Sequence, residues 1–557
     1  MEYAETTSTA RSSPRSGIRF WRKLKSPDSW GLSVGVFTTV ICLPILAVLI
    51  HLTKAGPEWG HLVETVLPRY LTNTAVLVVG VTVVALLMGV LPAWLVTVHD
   101  FPGRRLFSWA LILPLALPSY VAAFVFYQGP EAAIPFLIWV RTNVGIDAFL
   151  KAEIVIRYGL LILMMGAVLY PYIYLACRAA FSQQGRTLIE SARCLGDRPG
   201  AVFFRVAIPL ARPAMVAGAA LVIMEVINDY GAVHFFGVPT LTEGIFRTWF
   251  GMGDKVSALR LAGIVMLAVA MLLIVEQLLR GRARYVEAEG SSIPLVRKRL
   301  NRGKAATAFL CCLLPLAIGF LYPVGRLVQW SWLNLTSDRG VSLTFGESLS
   351  RGLILAGTTA LVVTLLAALF AFGVRLRENP LRKSCFRLSG LGYATPGAVI
   401  AVGVLVVFGG LDRLEISWMP LFSGTIFLIG FAYLVRFFAI PLQLSRAGMD
   451  RLGPSLGEAS RLLGRAPFAT FLRIDLPLLK GPLLAAAMLL FVDILKELPL
   501  TLILRPANFE TLATSAFSLA KEARLQACAV PSLMIVAAGA VGLLIMNRWL
   551  SPANSHE

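Results

Sequence analysis

The segment Glu190-Ser-Ala-Arg-Cys-Leu-Gly196 recurs further along the chain as Glu458-Ala-Ser-Arg-Leu-Leu-Gly464. We call the step in residue number from Glu190 to Glu458 the repeat offset. The same offset carries Pro209, in VAIPL, onto Pro477, in IDLPL. A match at one position arises easily by chance, whereas a spacing that holds from the glutamate through to the proline does not. The repeated segment therefore indicates a chain built from two tandem copies of one unit.

The chain around this repeat is strongly apolar. Its 557 residues are 57% hydrophobic and only 15% charged, with a mean hydropathy of +0.74. A soluble chain of this length could not bury so much apolar surface, so the composition predicts a membrane protein. The net charge of +20 would suit nucleic acid only if the basic residues clustered on a soluble face. They lie instead between apolar runs, so we expect membrane lipid and no nucleic acid as a partner.

Apolar runs long enough to cross a bilayer, roughly 20 residues each, number about twelve. They lie near 30–52, 71–97, 106–127, 155–181, 213–235, 258–279, 305–328, 352–374, 387–410, 421–444, 481–503 and 526–548. About two thirds of the 51 Lys and Arg residues fall in alternate loops, which predicts a multi-pass membrane protein with both termini in the cytoplasm. Both copies of the repeated segment then share one side, as in a parallel repeat. The expected fold is all-α.

These spans divide the chain into five parts. We predict a basic cytoplasmic tail at 1–29, a first repeat at 30–280, a basic cytoplasmic linker at 281–304, a second repeat at 305–550 and a short tail at 551–557. The repeated segment lies between the fourth and fifth span of each half. We refer to residues 186–212 as the first coupling loop and to residues 454–480 as the second coupling loop.

Each coupling loop is expected to form a short helix, a break and a second helical segment. The breaks fall at Gly196-Asp-Arg-Pro199 and Gly464-Arg-Ala-Pro467, and the second segments end near the repeated prolines. Such a knuckle fits a partner's groove. The alternative is a loop that only joins two spans, but a mere connector has no reason to keep a fixed spacing in both copies.

The pattern resembles the EAA loop of binding-protein-dependent ABC importer permeases, with Ser191, Ile208 and Ser460 as conservative departures. The resemblance implies that this loop inserts into an ATPase subunit, one copy for each loop. It assigns that role to Glu190, Ala192, Gly196 and Pro209 in the first copy and to Glu458, Ala459, Gly464 and Pro477 in the second.

The chain is not expected to be an enzyme. It has no GxxxxGK[ST] phosphate-binding loop, because Gly303-Lys304 is followed by Ala305. We therefore expect ATP and magnesium to be used by the separate ATPase subunits, and no cofactor to be bound by this chain.

Two pairs of carboxylates lie within predicted spans and follow the same repeat. Glu225 and Asp229 in the first half map onto Asp493 and Glu497 in the second by the repeat offset. Members of each pair are four residues apart and share a helix face. Three hypotheses remain open for them: lining of a translocation pathway for a cation, structural polar pairing near the outer ends of the spans, and a proton relay. Lys496 could neutralise its neighbour Glu497.

Other polar residues in the spans are ambiguous. Arg436 is either a partner of a buried carboxylate or a snorkelling side chain. His234 is interpreted as an interfacial residue rather than a ligand. Tyr170, Tyr172 and Tyr174 are interpreted as an aromatic belt or as packing groups.

Two further stretches suggest the cargo. FGVPTLTEGIFRTWFGMGD (236–254) and KELPLTLILRPANFETLAT (496–514) look like external segments of the ferric-iron permeases, in which two halves are commonly fused. This resemblance implies uptake of Fe(III), delivered by a periplasmic binding protein, across the bacterial inner membrane, with transient Fe(III) contacts at the four carboxylates. The alternatives are a permease for thiamine or another small cationic solute, and a secondary transporter driven by protons or sodium.

Overall fold

The fold was analysed in a computed structural model that describes residues 29–127, 130–196, 198–280, 297–336, 343–377, 379–413, 422, 424–453 and 455–550. Both predicted tails, except position 29, and residues 281–296 of the predicted linker lie outside the described residues. In the remainder of the linker, Lys298–Arg299 forms a two-residue parallel bridge with His99–Asp100, and the helix Arg302–Leu316 begins before the predicted linker ends.

The first half is helical over nearly all of its described length, because its apolar runs satisfy their backbone groups internally, as a bilayer requires. Its α-helices are Ser29–His51, Trp59–His61, Leu67–Val98, Arg104–Ala110, Ser119–Phe126, Pro130–Asn143, Ile146–Cys194, Pro199–Ala201, Ile208–Asn228, Gly231–Phe235, Leu241–Phe246 and Lys255–Arg280. One 3₁₀ turn, Leu113–Ala116, and the π-helical turns Leu62–Val66, Val202–Ala207 and Arg247–Gly251 complete it.

The second half repeats this order. Its α-helices are Arg302–Leu316, Tyr322–Thr336, Leu343–Arg375, Pro380–Ser389, Gly397–Asp412, Ile426–Phe437, Ala439–Leu452, Ser455–Leu462, Pro467–Thr470, Leu476–Leu478, Lys480–Leu495, Pro499–Leu504, Leu512–Lys521 and Leu525–Leu550. A 3₁₀ turn, Leu391–Ala394, and the π-helical turns Ala317–Leu321 and Phe471–Asp475 lie between them.

The predicted all-helical membrane fold is confirmed. Within the described residues, eight helices are long and apolar enough to cross a membrane, and four bent helix pairs raise this to at most twelve. The predicted count of about twelve spans is reached when each bent pair is counted as one span. The pair around Leu117 bends by 89° and the pair around Thr395 by 113°. Both residues are extended and precede a proline, Pro118 or Pro396, which disfavours the helical conformation.

The other two bends also lie near prolines. The helices that meet at Phe438 differ in direction by 51°, and those that meet at Leu479 by 77°. Pro441 and Pro482 follow these bends by three residues. A proline removes a backbone donor and its ring collides with the carbonyl four residues earlier, so a kink at these points is expected.

The N-terminal helix of the first half packs against the second half. Within Ser29–His51, the ring of Phe37 lies 5.1 Å from that of Phe438, and the Thr38 hydroxyl is 3.1 Å from the Ser389 hydroxyl. The first predicted repeat is therefore a unit of the sequence, but its N-terminal helix packs against the other half.

The second half makes the reciprocal exchange. The ring centroid of Phe309 lies 5.1 Å from that of Phe107, and Tyr322 lies 5.3 Å from Phe126. Each half thus lends its first helices to the other, and the two halves enclose a shared interior.

Candidate functional site

The four predicted pathway carboxylates line one cavity between the two halves. Glu225 and Asp229 contribute one wall, Asp493 and Glu497 the other, and the cavity volume is about 430 Å³. This volume is in the range of small-ligand sites. Structural polar pairing near the ends of the spans accounts for part of the hydrogen bonding of these carboxylates. All four carboxylates nevertheless also face the cavity.

Hydroxyl groups and backbone stabilise the first-half pair. The Tyr172 hydroxyl donates to Glu225 Oε1 at 3.4 Å, and the Ser119 hydroxyl donates to Asp229. Asp229 follows the end of the helix Ile208–Asn228, and its Oδ1 accepts the Ala232 N–H at 2.8 Å. No Lys or Arg forms a salt bridge with either carboxylate among the described residues.

Cations stabilise the second-half pair. Lys496 Nζ lies 2.8 Å from Asp493 Oδ1, and Arg436 Nη2 lies 3.4 Å from Glu497 Oε2. Glu497 also accepts the Leu500 N–H at 3.2 Å. The interpretation of Arg436 as a carboxylate partner is confirmed. The pairing of Lys496 with Glu497 is corrected, because Lys496 follows the last turn of its helix and its side chain reaches back three residues to Asp493.

One pair of equivalent positions helps to explain this difference. In each half a proline-linked break precedes a helix, which begins at Ser119 in the first half and at Gly397 in the second. A Cβ atom on Gly397 would lie 2.0 Å from Arg436 Nη1 and 2.8 Å from Glu497 Oε1. The glycine leaves room for the guanidinium, whereas the serine supplies a hydroxyl donor.

The two cations are also specific to the second half. The repeat offset places Val168 opposite Arg436 and Asn228 opposite Lys496, and all four side chains line the cavity. The first wall therefore carries two carboxylates without a paired cation, whereas each carboxylate on the second wall is paired with one cation.

The cavity is closed at one end and extends towards the coupling loops at the other. At the closed end, a Cβ atom on Gly231 would lie 2.5 Å from Tyr120 Cβ and 2.8 Å from Leu498 Cδ2, so the halves touch there. Towards the other end the lining reaches the exposed residues Leu221 and Leu484. Leu484 precedes Lys496 by 12 residues, about 18 Å along a helix. The orientation predicted from charge makes this end cytoplasmic.

Both coupling loops bend at the predicted glycines. Gly196 has φ +89° and Gly464 has φ +74°, a region that favours glycine. The leucine before each glycine is largely exposed, Leu195 at 87% and Leu463 at 80%. Each coupling loop thus presents an exposed leucine directly before its bend.

The first coupling loop differs from its prediction. No separate short helix precedes its bend, since the helix Ile146–Cys194 runs unbroken from the fourth span through Glu190 and the buried Ala192. Pro209 lies in the first turn of the next long helix.

The second coupling loop matches the prediction more closely. Gly453, with φ +67°, ends the preceding helix, and Ser455–Leu462 forms a separate short helix that carries the exposed Glu458 and Ala459. Pro477 lies in the short helix Leu476–Leu478, just before the bend of 77°.

A second cavity, of about 350 Å³, lies under the second coupling loop. On its wall Arg375 forms a salt bridge of 3.5 Å with Asp475 and donates to the Gly453 carbonyl. Arg375 thus ties the beginning of this loop to its end.

The segments that resemble external parts of iron permeases are packed rather than free. Thr240 and Thr511 cap the helices Leu241–Phe246 and Leu512–Lys521, both of which carry many buried residues. Asp254 accepts N–H groups from Ser257, Glu58 and Val256, and although burial raises its pKa, these bonds together lower the pKa below the usual value.

Sequence reasoning missed several residues of the cavity wall. Tyr170 and Tyr174 are fully buried packing groups as interpreted, but Tyr172 faces the cavity and bonds Glu225. His234 stacks on Tyr230 at 5.1 Å and lies outside the cavity lining. The repeated proline breaks at Pro118 and Pro396 were the sequence signal that could have identified Ser119 and Gly397.

The arrangement is not a preformed metal centre. Among the described residues, no three His, Cys, Asp or Glu side chains are placed to hold one metal ion together. The cavity can offer individual oxygen ligands and a negative field to a passing solute.

The chain matches the family described as "Binding-protein-dependent transport system inner membrane component" twice, over residues 82–279 and 360–556. It is 25% identical to the Fe(3+)-transport system permease protein FbpB 2 of Haemophilus influenzae, over 91% of this chain and 96% of that protein. It is 29% identical to a probable sulfate transport system permease protein cysT of Nephroselmis olivacea, over 37% and 70%. It is 26% identical to a spermidine/putrescine transport system permease protein PotC homolog of Mycoplasma genitalium, over 37% and 71%.

Proposed function

Because the chain belongs to the family of binding-protein-dependent transport system inner membrane components, we propose that it is the membrane subunit of an ATP-driven importer of ferric iron. The family assignment replaces the hypothesis of a secondary transporter driven by protons or sodium. It does not identify the cargo, since relatives are named for ferric iron, sulfate and spermidine.

The acidic cavity is the observation that carries the choice of cargo. Its four carboxylates face only two cations, Lys496 and Arg436, which leaves a formal charge of −2 on the lining. This field attracts a cation and repels an oxyanion such as sulfate. A hard cation prefers oxygen ligands of the kind that Glu225 and Asp229 offer. The similarity to a ferric permease over 91% of the chain supports Fe(III) as that cation.

The two coupling loops support docking of two ATPase subunits. Leu195 and Leu463 are exposed at equivalent bends, where a partner subunit can reach them. Glu458 is also exposed, on the short helix that precedes the second bend. We assign Glu190, Ala192, Gly196 and Pro209, with Glu458, Ala459, Gly464 and Pro477, to this contact.

The mechanism that follows is alternating access. A loaded binding protein docks on the external face, and ATP binding draws the two ATPase subunits and the coupling loops together. The halves then reorient about the cavity, which alternates between its two openings. In the state described here, the end near Gly231 is closed.

The test is reconstitution of the chain with its co-purifying ATPase in liposomes. We expect an iron-loaded external binding protein to stimulate ATP hydrolysis and to drive ⁵⁵Fe into the vesicles. Blocked hydrolysis should abolish uptake, while collapse of ion gradients should leave it intact. Stimulation by a sulfate-loaded binding protein, with none from the iron-loaded protein, would show that the cargo assignment is wrong.

An organic cation such as thiamine or a polyamine is the second candidate. It is favoured by the lack of a preformed metal site among the described residues and by the tyrosines Tyr120, Tyr172, Tyr230 and Tyr393 on the cavity wall. Aromatic faces attract organic ammonium groups. The same liposomes, supplied with thiamine-loaded or spermidine-loaded binding protein, separate this candidate from iron.

A further inference from the structure

Lys496 interacts with three of the four cavity carboxylates. Its Nζ lies 2.8 Å from Asp493 Oδ1, and its charge also acts on Glu225 and Glu497. Glu225 belongs to the opposite half, so the ammonium faces carboxylates from both walls. Arg436 forms its ion pair with Glu497, beside Gly397, and its charge acts on Glu225 less strongly than that of Lys496.

A cavity wall that carries two carboxylates does not require a lysine. In the first half Asn228 occupies the equivalent position, and Asp229 is held by a serine hydroxyl and a backbone N–H instead. A charged side chain inside a membrane protein is costly, which makes a role in transport the first hypothesis for it.

The pairing occurs in the state from which cargo would leave. The cavity is closed by contact between Gly231 and Leu498 at one end, and its lining reaches Leu484 at the coupling-loop end. An ammonium on Asp493 in this state takes an oxygen that a cationic cargo would otherwise occupy. Like charges at such distances repel strongly in a site of low dielectric.

We propose that Lys496 is a tethered counter-ion, which takes over Asp493 in the inward-open state and so displaces the cationic cargo into the cytoplasm. The proposal rests on the proposed function, because it requires a cation as cargo. Lys496 would act as a release residue, and the cargo would meet Glu225, Asp229 and Asp493 before the ammonium returns.

The experiment uses the full complex of chain and ATPase in liposomes, loaded by binding protein carrying ⁵⁵Fe(III), for a single turnover of ATP. Lys496→Met should release iron into the lumen at least tenfold more slowly than wild type and should retain ⁵⁵Fe on the complex. Lys496→Arg keeps the charge and should release at the wild-type rate. Lys304→Met replaces an exposed lysine in the helix Arg302–Leu316, outside the cavity lining and both coupling loops; it is the control and should change nothing.

Lys496→Gln is the second neutral variant. Its amide can still donate to Asp493 without carrying a charge, so a folding defect of the methionine variant does not decide the outcome. Wild-type release by either folded neutral variant would overturn the proposal. Absence of iron uptake by the wild-type complex would instead contradict the proposed function, so the two failures are distinguishable.

Discussion

The two halves place equivalent carboxylates on one cavity and stabilise them by different means. In the first half, Tyr172 and Ser119 donate hydrogen bonds to Glu225 and Asp229. In the second half, Asp493 and Glu497 form ion pairs with Lys496 and Arg436. The repeat thus preserves the positions of the carboxylates but not the groups that neutralise them. As a result, the first-half wall of the cavity is more acidic than the second-half wall.

The coupling loops differ in a similar way. The first continues a helix of 49 residues, so its bend is rigidly joined to the fourth span. The second begins with a separate short helix, Ser455–Leu462, and lies between Gly453 and the bend at Leu479. Arg375 connects its two ends. Motion of an ATPase would reach the first half directly and the second half through a joint.

The largest effect on transport is expected at the coupling-loop glycines, where the two halves share the same backbone conformation. The double variant Gly196→Val/Gly464→Val forces β-branched residues into positive φ, at +89° and +74°. We expect loss of ATPase co-purification and of iron uptake, with the chain still inserted in the membrane. Normal ATPase binding and uptake would contradict the docking assignment.

The matched control for this variant is Gly200→Val/Gly481→Val. Both of these glycines are helical, and a Cβ atom on either would meet no atom within 4 Å. The control pair should bind the ATPase and transport iron as the wild type does.

The carboxylate pairs test the difference in charge. Glu225→Gln/Asp229→Asn should lower iron uptake at least about tenfold without lowering the amount of folded protein. Asp493→Asn/Glu497→Gln should also reduce transport, but with a loss of stability, since removing one partner of a buried ion pair costs about 3–5 kcal/mol. ATPase assembly should survive in both. Uptake by vesicles and thermal unfolding of the detergent-purified chain measure the two effects, and equal outcomes for the two pairs would contradict the asymmetry.

Exchanging the equivalent residues Ser119 and Gly397 gives an intermediate effect. Gly397→Ser should displace Arg436 from Glu497, because its Cβ would lie 2.0 Å from the guanidinium, and should lower the melting temperature. Ser119→Gly removes one hydrogen bond to the Asp229 carboxylate and should cost about 1.5–3 kcal/mol. The double variant Gly397→Ser/Arg436→Val copies the first-half residues Ser119 and Val168. Glu497 then loses its cation, but the serine hydroxyl can donate to it as Ser119 does to Asp229, so part of the lost folded yield should return; no recovery at all would count against steric displacement as the cause.

The smallest effect is expected at the joint of the second coupling loop. Arg375→Ala removes the bond to the Gly453 carbonyl and the salt bridge with Asp475. We expect a few-fold less iron transported per ATP hydrolysed, because the loop is no longer braced, with the ATPase still bound. Lys480→Ala, an exposed residue of the same loop, is the control. An unchanged ratio of transport to hydrolysis would show that Arg375 does not contribute to coupling.

Local pattern determined much of the architecture. Apolar runs, the alternation of basic loops and the repeat offset predicted a helical membrane protein of two repeats, with bends at Gly196 and Gly464 and four carboxylates in register. Each of these features depends on neighbouring residues or on a spacing that both copies share. Such features can therefore be predicted from one sequence.

Only the tertiary structure decided how the carboxylates are neutralised and how the halves interlock. Ser119 and Asp229 are 110 residues apart, and the hydroxyls of Thr38 and Ser389 are 351 apart, so no local pattern predicts their contact. Lys496 lies beside Glu497 in sequence, yet its side chain turns to Asp493 because the helix ends there, and Gly397 leaves Glu497 to Arg436. The repeat fixed where charge lies along the chain, whereas packing across the halves fixed which charge remains unpaired.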